Sequence, residues 1–182
     1  MTNLEALRED LLTKQRKGLP FILASCVLWA LISVVCALNI PVMTRNMLVF
    51  CCACPLFPLA MLVGKIIGVN VLEKENPLSK LLILFTCNQF LYLLIVMWVF
   101  SAVPEKMIMI HAMVFGAHLL PYSWTYRSKA YVVVSVVIPL VSLVLGIYTG
   151  ALPVALFVEA AVIVFAAVLF RESGQADPQK IA

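Results

Sequence analysis

Residues 78–102 read LSKLLILFTCNQFLYLLIVMWVFSA, and Lys80 is their sole charge. At about 1.5 Å per residue, a helix of this length spans the roughly 30 Å hydrocarbon core of a bilayer. Asn76-Pro77 stand just before it, a cap residue and then a proline suited to the first helical position. The stretch reads as a membrane-spanning helix, and its polar pair Asn88-Gln89 would lie about 15 Å from the end at which it starts.

The rest of the chain has the same character. Of 182 residues, 64% are hydrophobic and 12% charged, with a mean hydropathy of +1.07. A soluble domain carries about a quarter charged residues, so this chain has too few charges to cover a surface facing water. Its net charge of +4 is spread over short clusters between apolar runs. Nucleic-acid binding would need a concentrated basic face, and none is expected.

Five further apolar runs accompany the first, giving an all-α bundle of six predicted spans. They cover about Phe21–Asn39, Met47–Ile67, Leu78–Ala102, Glu105–Trp124, Ala130–Tyr148 and Leu152–Phe170. Thr149-Gly150 turns the last two into a hairpin. Residues 1–18 form an amphipathic interfacial helix with Leu4, Leu7, Leu11 and Leu12 on one face. Thr2 and Glu5 have capping-box spacing, and Gly18 with Pro20 ends the helix. The transmembrane domain then occupies 19–171, and 172–182 is a polar tail expected to be disordered. Acidic residues near the start exclude a cleavable signal. Leu23-Ala24-Ser25-Cys26 resembles a lipoprotein cleavage box, but it opens an apolar run where such a box would close one.

Lysine and arginine set the orientation. With the N-terminus inside, the inner segments hold Arg8, Lys14, Arg16, Lys17, Lys65, Lys74, Lys80, Arg127, Lys129, Arg171 and Lys180. The outer loops hold only Arg45 and Lys106. Both termini are therefore predicted to be cytoplasmic. Tyr122, Trp124, Tyr126 and Tyr131 cluster where an inner aromatic belt belongs.

Ionisable and polar groups within spans are costly and draw attention as functional residues. Glu159 lies about 10 Å, and His118 about 16 Å, from the outer ends of their helices. With Asn88 and Gln89 they fall near one level, where they could surround a ligand or merely bond to one another. Tyr122, Trp124, Tyr126, Arg127 and Lys129 would form the inner mouth of such a site. His111 and His118 stand about 10 Å apart along one helix, too far to share a metal. Among six cysteines, Cys36, Cys51, Cys52 and Cys54 lie towards the outside, leaving a disulfide open, but their spacing matches no zinc pattern. No phosphate loop, catalytic triad or metalloenzyme motif is present, so neither cofactor nor metal is expected. Pro55, Pro58, Pro121 and Pro139 interrupt three spans. Pro58-Leu59 and Pro139-Leu140, with similar residues after them, hint at an inverted repeat of three helices.

The string GAHLLPYSWTYRSKAY at 116–131 resembles the signature of a group of small bacterial integral membrane proteins known only as a domain of unknown function. Gly18-Leu19-Pro20-Phe21, Phe57-Pro58-Leu59, Asn76-Pro77-Leu78 and Asn88-Gln89 are similar to that group too, so the resemblance covers about residues 15–172. It implies a multi-pass protein of a bacterial inner membrane, with no assigned activity. It includes His118, Asn88 and Gln89, but not Glu159.

Three functions fit. One is a small-molecule or proton-coupled transporter, or a ligand-binding membrane protein, with His118, Asn88, Gln89, Glu159, Tyr122 and Trp124 at its site. A second is a membrane-embedded enzyme acting on lipid, with His118 as base and Cys87, Ser123 or Glu159 beside it. A third is an accessory subunit of a membrane complex. The expected partners are the lipid bilayer and a small ligand, with homo-oligomerisation left open.

Overall fold

The computed structural model describes residues 3–71 and 75–175, and these residues contain helices and no strand. The helices are α1 (Asn3–Gln15), α2 (Leu19–Ala37), α3 (Val42–Ala53), α4 (Leu56–Ile66), α5 (Leu78–Ala102), α6 (Met107–Ala117), α7 (Leu120–Thr125), α8 (Lys129–Tyr148) and α9 (Ala151–Gln175). Thr2 of the expected capping box, Lys74 and Lys180 lie outside the described residues, as does 176–182 of the expected disordered tail. Residues 172–175 of that tail continue α9 as helix.

Among the described residues, five helical stretches, not six, are long and apolar enough to cross a membrane. They are α2 (continuous with α1), α3 with α4, α5, α8 and α9. The exception is the fourth apolar segment, which divides into α6 and α7. Pro121 has no N–H to offer the Ala117 carbonyl one turn earlier. The chain responds with tighter bonds, Leu119 N–H to Gly116 O at 3.1 Å and Tyr122 N–H to Leu119 O at 3.2 Å. Neither fragment alone reaches the ~20 residues that a span needs.

The other prolines act unequally. Pro55 and Pro58 remove two closely spaced helical N–H groups, and the second apolar segment breaks between α3 and α4. Pro139 stays inside a continuous α8. The two segments proposed as repeats therefore differ in shape. Against Pro139 stands Gly116, where an added Cβ would lie 2.6 Å from the proline Cδ. This close approach seats α6 on α8 through a small residue, the usual membrane solution when apolar burial offers no drive.

The core lies between α2, α6, α8 and α9. Trp29, Met107, Ile108, Ile138, Val154, Val158 and Phe165 are buried there. Helices α4 and α5 stand at the rim, and α5 is mostly exposed. Few residues of α4 and α5 approach each other closely.

One end of the bundle is closed by α1. Its Leu11 is fully buried. Arg16, Lys17 and Gly18 then take three consecutive left-handed conformations, with φ of 43°, 55° and 73°. That turn sends the chain into α2, with Pro20 in its first turn. Glycine suits position 18, because its φ is positive and a Cβ there would press on the Tyr131 hydroxyl at 3.0 Å and the Tyr126 ring at 3.1 Å. Tyr126 donates to Gln15 Oε1 at 3.0 Å, and Tyr131 donates to the Lys17 carbonyl at 2.8 Å. Lys17 pairs with Glu172 at 2.7 Å. Asn76 Nδ2 donates to the Leu7 carbonyl and to Asp10, while its Oδ1 accepts from Leu78 N–H at 2.9 Å and starts α5. The helix expected to lie flat on the membrane surface is thus latched to the bundle itself.

At the opposite end, Asn46 donates to the Pro104 carbonyl at 2.8 Å. Lys106 Nζ donates to the Gly146 carbonyl at 2.7 Å, a cation at the negative end of α8.

Candidate ligand cavity

Residues of α2, α4, α5, α6 and α7 line a cavity of about 470 Å³. A smaller one of about 190 Å³ shares eight wall residues with it, among them Phe21, Ser25, Thr86, Gln89 and Phe115, so the two adjoin. The larger reaches the latch through Gln15 and Gly18. The smaller extends along Leu28, Trp29, Ile32 and Leu93 to His111. Together they fall in the usual size range of small-molecule sites, roughly 300–1,000 Å³.

Local sequence explains the polar strip. Because Pro121 breaks the helix, His118 falls in the turn between α6 and α7. Its Nδ1 lies 2.5 Å from the Phe115 carbonyl. A ring nitrogen facing a carbonyl carries the proton, so in a neutral imidazole Nε2 is the acceptor. Tyr122 follows one turn later, its ring 6.1 Å from that of His118. Thr86 Oγ1 donates to the Leu82 carbonyl at 2.9 Å and so receives the Tyr122 hydroxyl at 3.1 Å. Gln89, one turn beyond Thr86 on α5, adds a carboxamide to both cavities.

An aromatic series runs beside this strip. Ring centroids are 5.5 Å apart for His111 and Trp29, 5.4 Å for Trp29 and Phe115, and 5.6 Å for Phe115 and His118. Tyr122, Tyr126 and Tyr131 continue it to Phe165. Tyr126 and Tyr131 are buried, so most of the expected aromatic belt turns inward, where its hydroxyls find Thr86, Gln15 and Lys17. Trp124 alone of the four stays exposed, with the Arg8 guanidinium 4.1 Å above its ring and hydrogen-bonded to its carbonyl.

Of the six residues expected at a site, the fold brings together His118, Gln89 and Tyr122. Asn88 is exposed, since the next position on a helix is rotated by about 100°. Glu159 lines neither cavity, and its buried Oε2 has no hydrogen-bond partner among the described residues. Trp124 belongs to the latch. The inner-mouth residues Arg127 and Lys129 are exposed and line neither cavity. Of the nucleophiles considered beside His118, Cys87 lines the same cavity, whereas Ser123 and Glu159 do not. All six cysteines are free thiols. No group of three or more metal-ligating side chains assembles among the described residues.

Sequence reasoning missed Gln15, Ser25 and Thr86 on the cavity wall. Thr86 was within reach, being three residues before Gln89 and so on its face of the helix.

The model of a family of unknown function matches residues 4–172. The chain belongs to that family, DUF7010. No curated protein and no solved structure matches it. The DUF7010 match takes in most of α1 as well as every wall of the cavity, so the latch and the cavity lie within one family unit.

Proposed function

We propose that this DUF7010 chain is a multi-pass inner-membrane protein that binds a small molecule in the cavity between α2, α4, α5 and α6, as a transporter or a ligand-binding protein does. The observation that carries the reading is the convergence of His118, Gln89 and Tyr122 on one cavity of about 470 Å³. A packed scaffold would fill such a space with side chains.

In this reading α6 and α7 together make one passage. The chain then crosses six times, with both termini cytoplasmic. Two things support this: the lysine and arginine distribution, and the two opposite ends of the bundle, one joined by Lys17–Glu172 and the other by Lys106–Gly146. A fluorescent-protein fusion at the C-terminus should glow, because that reporter folds in the cytoplasm. An alkaline phosphatase fusion there should be inactive, and the reverse pattern would refute the topology.

Ligand binding is tested by native mass spectrometry of protein extracted in mild detergent. The expected result is a small-molecule adduct that is depleted in Gln89→Leu and Tyr122→Phe but retained in Asn88→Leu. An adduct indifferent to all three would place the ligand elsewhere.

A further inference from the structure

We propose that the cavity takes a neutral, hydroxyl-headed lipophile from the bilayer, with its head on the Gln89–His118–Tyr122 strip and its chain along Trp29. The proposal rests on the ligand-binding reading above and specifies the ligand's chemistry.

Three observations converge. First, no Asp, Glu, Lys or Arg lines either cavity. An ionic head would lose its hydration with no counter-ion to replace it, a penalty of several kcal/mol or more. Secondly, the polar atoms favour a donor. Nε2 of neutral His118 accepts, and the Tyr122 oxygen, having donated to Thr86, also retains acceptor capacity. The Gln89 carboxamide offers both an acceptor and donors. A hydroxyl, with one hydrogen to give and lone pairs to receive, matches this set. Thirdly, part of the wall faces outward. Phe57 of α4 and Ile83 and Phe90 of α5 line the larger cavity and are exposed apolar residues, the surface that lipid would meet. The inner end is occupied by the latch, with Gln15 and Gly18 in the wall.

The geometry also fixes which end leads. The smaller cavity continues beyond the strip between Leu28, Trp29, Ile32 and Leu93 as far as His111. An acyl or prenyl chain suits it, and its far end would approach Trp29.

The test uses Trp29 fluorescence in the full chain, reconstituted in phosphatidylcholine vesicles with Trp98→Phe and Trp124→Phe to remove the exposed indoles. Three probes share one long chain, brominated at its tail, and differ in head: alcohol, carboxylate and quaternary ammonium. The alcohol should quench Trp29 saturably, and both charged probes should need at least about tenfold more in the bilayer, the equivalent of about 1.4 kcal/mol. Gln89→Leu should weaken the alcohol several-fold, and Asn88→Leu should not change it. A short water-soluble alcohol should not compete.

Two failures are distinct. If a charged probe binds as tightly as the alcohol, or the short alcohol competes, the ligand class is wrong and the site remains. If quenching by every probe is linear and unchanged by a filling substitution, the site itself is refuted. Thr86→Phe supplies that substitution, with Gln89→Phe as the alternative should it fail to fold.

Discussion

The Tyr126 hydroxyl donates to Gln15 Oε1 at 3.0 Å, joining two buried side chains 111 residues apart. This bond holds α1 against the rest of the bundle. Tyr126→Phe should leave the Gln15 oxygen unsatisfied and lower stability by about 1–3 kcal/mol. Gln15→Leu should cost a similar amount. The double variant should recover part of the loss, because neither orphan remains. Thermal unfolding of the four proteins in one detergent gives the coupling. Strict additivity would show that the bond contributes nothing.

Gly116→Ala tests the seam between α6 and α8. A Cβ would lie 2.6 Å from Pro139 Cδ and 2.8 Å from Ile138 Cβ, neither of which is the far end of a flexible chain. Overpacking of this kind costs about 1–3 kcal/mol. The melting temperature should fall, and Gly116→Leu should fail to yield monodisperse protein. An unchanged melting temperature for Gly116→Leu would show that the helices do not meet there.

Much of this fold is legible in the sequence, because lipid punishes exposed backbone and charge so heavily that apolar run length alone marks a helix. The third run, Leu78–Ala102, coincides with α5 residue for residue. The fourth run did not survive as one helix. Hydropathy sums side chains and does not register that Pro121 withdraws a backbone N–H. Position along α5 was readable too, but rotation was not. Asn88 and Gln89 are neighbours in sequence, and only the packing of α5 on α6 decides that Gln89 faces the cavity. The latch was hidden for a different reason. Its long-range contacts join residues 66 to 155 positions apart, and an amphipathic face does not say whether it meets lipid or protein.

That rotation makes a sharp comparison. Gln89→Leu should weaken binding of the alcohol probe several-fold, while Asn88→Leu, one residue away, should leave it unchanged. Equal effects of both would mean that the loss comes from α5 as a whole and not from a contact in the cavity.

The latch also carries a pH dependence. Asp10 accepts from Asn76 at 2.9 Å and pairs with Lys14 at 3.1 Å. The Asn76 hydrogen bond, opposed by partial burial and assisted by Lys14, holds the Asp10 carboxyl below its ordinary 3.8. A carboxyl depressed on folding stabilises the folded form above its unfolded value and loses that contribution as pH falls through the folded one. Protection of α1 amides, corrected for intrinsic exchange, should therefore be level down to about pH 5 and decline below 3.8. Asp10→Asn should remove the step. A step that persists in that variant would assign it to another group.

The left-handed turn at Arg16, Lys17 and Gly18 has a consequence for biogenesis. The helix that precedes it is made first, yet its fastenings come in sequence, Asn76 at mid-chain, then Tyr126 and Tyr131, and Glu172 near the end. During synthesis α1 can meet Asn76 first and Tyr126 later, but the turn gains its last partner, Glu172, only when the final hairpin has entered the bilayer. Full closure of the N-terminal helix thus marks the moment at which membrane insertion is complete.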